Sequence, residues 1–132
     1  MLNTTCPSSG WYRITASSGA VGTSQDNVVV FHGQPFYLER VNACTYRIFP
    51  STGGSVQQNN NWRVVVQHGV DPQQWVIKQY NNQANTYTIV EENTDLGVTD
   101  PGGAPGPNHQ LYLTVLDYNN VVPQQRYKIV PA

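Results

Sequence analysis

Large apolar residues recur two positions apart along most of this chain, in short runs broken by glycine, proline, asparagine and aspartate. The runs are WYRIT (residues 11–15), NVVVF (27–31), PFYLERV (35–41), TYRIF (45–49), WRVVV (62–66), QWVIKQY (74–80), TYTIV (86–90), LYLTVL (111–116) and RYKIV (126–130). A period of two with β-branched and aromatic residues, bounded by turn formers, is the pattern of half-buried strands. No stretch carries a helical period, so the pattern predicts an all-β chain.

The runs are copies of one another. Tyr-x-Ile occurs at Tyr12 to Ile14, Tyr46 to Ile48 and Tyr87 to Ile89, and Gln-x-aromatic-x-aliphatic at Gln34 to Leu38, Gln73 to Ile77 and Gln125 to Ile129. A β-branched or aliphatic run lies between them each time, at Val28 to Phe31, Val64 to Val66 and Leu111 to Val115. In a strand, residues two apart share a face. The spacing therefore points Phe36 with Leu38, Trp75 with Ile77, and Tyr127 with Ile129 into one core, where each buried side chain is worth roughly 1.5–3 kcal/mol.

Three units of about four strands, each with a Gln-x-Trp-like motif, resemble the β-trefoil fold. The resemblance covers the chain from Gly10 to Pro131 and implies one domain, with repeats at about residues 10–43, 44–84 and 85–132. It places strands at about 11–15, 20–22, 27–32, 35–41, 44–49, 54–57, 61–67, 73–80, 85–91, 95–99, 109–116 and 124–130. The second, sixth and tenth are short and polar.

Composition narrows the function. A chain of 132 residues hides roughly two-thirds of its unfolded surface and needs no metal to hold a core. Only 11% of residues are charged and the net charge is -1, which leaves no basic field to gather nucleic acid. Side-chain amides take the place of charge, in QQNNN (57–61) and NNQAN (81–85), and read as solvated turns. The first ten residues have neither a basic start nor an apolar run, and no segment is apolar enough to span a membrane. A cytoplasmic or unconventionally exported monomer is the expectation, and in that setting the Asn3-Thr4-Thr5 sequon stays idle. Cys6 and Cys44 lack zinc-site spacing. They read as two free thiols, with a bridge as the alternative.

Catalytic ingredients are few. His32 and His68 both precede glycine at matching places in two repeats, which reads as a recurring turn. His109 follows the proline-glycine segment. No nucleophile, phosphate-loop or metalloprotease motif occurs, and adjacent Glu91 and Glu92 face opposite ways in a strand. The expectation is a protein that is not an enzyme and takes no cofactor and no metal.

A trefoil carries many functions, so its loops decide. In size, scarcity of cysteine and its GWYRI opening strand, the chain resembles the β-trefoil protease inhibitors of mushrooms: the mycocypins, the cospin-like inhibitors and especially the cocaprins. The resemblance implies inhibition of papain-like cysteine proteases through the first and third inter-strand loops. Here those loops are residues 16–20, with Ser17, Ser18, Gly19 and Ala20, and residues 32–35, with His32, Gly33, Gln34 and Pro35. The cospin-like group implies instead a substrate-like loop between the second and third strands, with Gln25, Asp26 and Asn27. The longest irregular segment, residues 99–110 with Asp100, Pro101, Gly102 and Gly103, is a further candidate, toward aspartic proteases. The partners implied are proteases, with neither nucleic acid nor membrane. The alternative is a ricin-type lectin, in which Asp26 or Asp100 supplies the sugar-binding aspartate; the asparagine that accompanies it in that family is missing before the motif.

Overall fold

A computed structural model describes residues 6–132, so the sequon lies outside the described residues. Twelve strands follow in order: β1 (Gly10–Ala16), β2 (Gly19–Ser24), β3 (Asn27–Val30), β4 (Pro35–Asn42), β5 (Thr45–Pro50), β6 (Ser55–Gln58), β7 (Val64–Gln67), β8 (Gln74–Gln79), β9 (Thr86–Glu91), β10 (Leu96–Thr99), β11 (Tyr112–Val115) and β12 (Tyr127–Pro131).

Six strands form a closed ring of antiparallel pairs, β1 to β4, β5, β8, β9, β12 and back to β1. Closure removes the open edges that would template aggregation. The other six form three hairpins, β2–β3, β6–β7 and β10–β11. These cap one barrel end and join in their own ring through Asn27 with Val65, Arg63 with Tyr112, and Val29 with Gln110. A six-stranded barrel capped by three hairpins is a β-trefoil.

The period-two motifs fill it. Each repeat gives four side chains to a central layer: Ile14, Ile48 and Ile89 from Tyr-x-Ile; Phe36, Trp75 and Tyr127 from the glutamine motif; Val28, Val64 and Leu111 from the apolar runs, Leu111 just ahead of β11; and Val21, Val56 and Val98 from the three short strands. The layer encloses a cavity of about 30 Å3.

The glutamine of each motif ties this barrel to its cap. Gln34 Oε1 accepts from the Thr23 N–H at 2.9 Å, and Gln73 Oε1 from the Gln58 N–H at 2.7 Å. Gln125 Nε2 donates to Thr99 Oγ1 at 3.2 Å. Thr23 and Gln58 hold matching places in β2 and β6, two beyond the core valine, whereas Thr99 directly follows Val98, so a glutamine clamp recurs in all three repeats with a different partner position in the third. It holds each hairpin at the edge of the core, where unpaired polar groups would be costly.

Several expectations change. Cys6 and Cys44 are not free thiols: they form a disulfide, with Cα atoms 5.3 Å apart. It lies at the barrel end away from the hairpins, where the segment before β1 folds across the opening. There the Tyr46 hydroxyl donates to the Pro7 carbonyl and Tyr12 to that of Ser8 at 2.8 Å. Burial pushes the Tyr46 phenol well above its ordinary value, with the Arg40 guanidinium acting against it, so it remains a neutral donor. Closing a loop across 38 positions is worth roughly 4 kcal/mol on the chain-entropy account.

The amide runs divide. Asn81, Asn82 and Asn85 take left-handed backbone angles in turns, a conformation asparagine tolerates. Gln57 and Gln58, however, belong to β6, and Gln57 is buried with its amide on Ser55 Oγ and the Asp71 carbonyl. The last strand starts later than its pattern implies, because Pro123 opens a 3-10 turn that runs to Gln125.

The three equivalent aromatics differ in one respect. Trp75 Nε1 donates to the Val56 carbonyl at 3.1 Å, whereas the buried Tyr127 hydroxyl has no partner among the described residues. Replacing Tyr127 by Phe is thus expected to leave stability unchanged or raise it. Trp75→Phe is expected to cost about 2–4 kcal/mol, through a cavity and an orphaned carbonyl. Urea unfolding of both variants checks this; a Tyr127→Phe loss as large as that of Trp75→Phe would contradict it.

Candidate functional site

The proposed loops meet where β1 leaves the barrel and β4 re-enters it. The β1–β2 turn is Ser17 and Ser18, with Ala16 paired to Gly19. Gly33 lies against Ala20 so closely that a Cβ on the glycine would stand 2.7 Å from the alanine methyl. The Gln34 N–H donates to the Val21 carbonyl at 3.3 Å. Residues 17–20 and 31–34 therefore form one continuous edge.

The long segment after β10 joins that edge. Asp100 is 1% exposed, and its carboxylate accepts from Ser17 Oγ at 3.0 Å, the Ser18 N–H at 2.7 Å, Ser18 Oγ at 2.7 and 2.8 Å, and the Gly102 N–H at 2.7 Å. Burial alone would push this carboxyl up. The hydrogen bonds from Gly102, Ser18 and Ser17 outweigh it and hold the group below its ordinary value of 3.8. The charged carboxylate is thus a fastener between the first repeat and the third.

Beyond Asp100 the chain makes a compact, self-bonded loop. The His109 N–H donates to the Gly106 carbonyl at 3.0 Å, and its Nε2 lies against the Gly102 carbonyl. Gly106 N–H and the His109 carbonyl both bond Val30, at 3.0 and 2.9 Å. Pro105 packs over Gly19, which leaves only 3.1 Å between Pro105 Cγ and where a Cβ would be. Pro101, Gly103, Ala104, Pro105, Pro107 and Asn108 are exposed. The result is a ridge of three loops whose contacts with the barrel are internal and whose outer faces are free.

Other candidates fall elsewhere. Gln25 and Asp26 both have positive φ, 50° and 63°, between paired Ser24 and Asn27, which makes a two-residue type I′ hairpin turn. Asn27 pairs with Val65, and its side chain accepts from Gln110 Nε2 at 3.0 Å. Such a turn does not present an extended substrate-like strand. Asp26 meets His68 at 3.3 Å on the exposed surface. The two His-Gly pairs are not one recurring turn: His32 itself takes φ 48°, while in the second repeat Gly69 does so at 71°. Gln34 and Pro35 belong to the scaffold, the first as a clamp and the second as the start of β4.

Comparison with protein-family models gives no match, and no curated protein matches by sequence. Solved structures do match in fold. A proteinase inhibitor from Coprinopsis cinerea superposes with a TM-score of 0.78 at 15% identity, over 96% of this chain and 99% of the inhibitor. A ricin B-like lectin from Macrolepiota procera, solved with lactose, gives 0.78 at 16% identity, over 98% and 100%. A designed three-fold symmetric protein, ThreeFoil, gives 0.72 at 16%, over 93% and 99%. The fold is shared by an inhibitor and a lectin alike.

The Asp100 fastener has a pH signature. A carboxyl whose folded value lies below its unfolded one contributes stability that is complete above about pH 4. That contribution is lost as the pH falls through the folded value. Asp100→Asn is expected to cost roughly 2–4 kcal/mol at neutral pH, with the gap to the unaltered protein narrowing as urea midpoints are followed into acid. A gap independent of pH would show that the charge is not what holds the loops.

Proposed function

We propose that this protein inhibits papain-like cysteine proteases by laying its three-loop ridge into the active-site cleft. The observation that carries the reading is the joining of residues 17–20, 31–34 and 101–109 into one edge by Asp100, the Pro105 contact with Gly19 and the Gly33 contact with Ala20. A cleft binder must hold its loops still before contact, since ordering them on binding subtracts from affinity. Here they are ordered by a buried carboxylate and by backbone bonds to β3. Small residues at the crest let the main chain approach a narrow groove, and an inhibitor contact of ordinary size, about 800 Å2 per partner, spans two or three such loops. The 101–109 loop, longest and stiffened by proline, extends the reading to aspartic proteases.

A carbohydrate reading has one observation in its favour. Tyr112 lines a groove of about 480 Å3 with Asp117, Asn120 and Gln124, an aromatic face with polar groups beside it. Asp100 borders the same groove, but its oxygens are already engaged by Ser17, Ser18 and Gly102.

Titration of papain and pepsin with the purified protein is the test, with exposed His32 and Ala20 each replaced by Trp. Inhibition of papain that falls at least roughly tenfold in both variants, with unchanged melting temperature, is the expected result. No inhibition of either enzyme at micromolar protein, or lactose-dependent binding abolished by Tyr112→Ala, would overturn the reading.

A further inference from the structure

A second groove adjoins the ridge on its β12 side. It has a volume of about 360 Å3 and is lined by Thr15, Ser17, Gln83, Thr86, Arg126 and Lys128, with Pro123 as an apolar wall. None of its lining residues is acidic. The register explains why cations gather there: Lys128 stands opposite both Thr15 of β1 and Thr86 of β9, and Arg13 stands opposite Val130, one outward position further along. Three of the seven lysines and arginines thus share one barrel face in a chain of net charge -1.

Arg126 is held in place. Its Nε and Nη2 donate to the Val121 carbonyl at 3.2 and 2.7 Å, and its guanidinium lies 4.6 Å over the Tyr80 ring. Both bonds use one edge of the fork, so the Nη1 hydrogens remain for a ligand. A guanidinium fixed in this way loses little freedom when a carboxylate arrives. Beside it is the hydroxyl of Thr15, which can donate to the same anion, while Ser17 Oγ stays committed to Asp100.

We propose that this groove is a docking site for acidic side chains of a protein partner, in particular carboxylates beside the cleft of the protease that the ridge enters. The partner assignment rests on the inhibitor reading above; the anion preference rests on the groove. Ser17 belongs to both surfaces, so a protease seated on the ridge brings its cleft margin over Arg126 and Lys128. Charges at such a rim act mainly on the rate of encounter and on the choice of partner.

The test uses isotope-labelled protein and hexaglutamate peptide as the probe, at about 20 mM salt, where screening is weak. Saturable amide shifts at Ser17, Gln83, Thr86 and Lys128 are expected, lost in Arg126→Gln and also in Lys128→Glu, whose exposed side chain can change without disturbing the fold. Papain-family enzymes with acidic cleft margins should associate with the Lys128→Glu variant at least roughly fivefold more slowly, with little change in dissociation. Hexaglutamate that leaves these amides unmoved, or a sulfated oligosaccharide that moves them when hexaglutamate does not, overturns the proposal, even if proteases are inhibited. Hexaglutamate binding without inhibition of any protease upholds the groove and removes the inhibitor reading instead.

Discussion

Everything in this structure depends on closing a barrel around one shared layer of side chains. Twelve residues form it, four from each repeat, and the repeats agree on residue type at each place. An aliphatic or aromatic side chain two positions from its neighbour on the same strand face is enough to specify this layer. The glutamine clamps then fix how each hairpin caps the barrel, using a side chain that can accept and donate at once. With the interior settled in this way, the core does not dictate the loop sequences, which are free to differ.

That division explains how much could be read from the sequence. The strands and the triple repeat were legible because periodicity is local and occurs three times over. Even the short polar strands β2, β6 and β10 were placed, although Val21, Val56 and Val98 give little signal of burial on their own. The ends of β7 and β12 were less legible, since the positive φ at Trp62 and the 3-10 turn at Pro123 are single-residue events. The disulfide was misread because 38 residues separate its cysteines and nothing local brings them together. Only the fold of the segment before β1 does so.

The loops show the same limit more sharply. Ser17, Ser18, Gly33 and Asp100 were each candidates, but no pattern links Asp100 to serines 82 and 83 positions earlier. Their joining is a consequence of closure: β12 pairs with β1, and the Asp100 N–H donates to the Gln124 carbonyl ahead of β12, which brings the end of β10 beside the β1–β2 turn. The aspartate that looked available for a sugar is a buried fastener, and the long segment that follows it is a wall of the ridge. The cations Arg126, Lys128 and Arg13 likewise come together only through the register of β1 with β12. An inhibitor and a lectin share this barrel, so differences in function lie at the level of such loop and groove contacts rather than in the core.

The central claim is that the ridge meets its partner as one preformed surface. The most direct measurement is the amide spectrum of labelled protein with and without papain whose catalytic cysteine is blocked. The largest changes are expected to fall together on Ser17 to Ala20, His32 and Gly33, and Gly102 to Asn108, at a single binding constant. Changes centred instead on the far end of the barrel near Cys44, or no change at all, would contradict it.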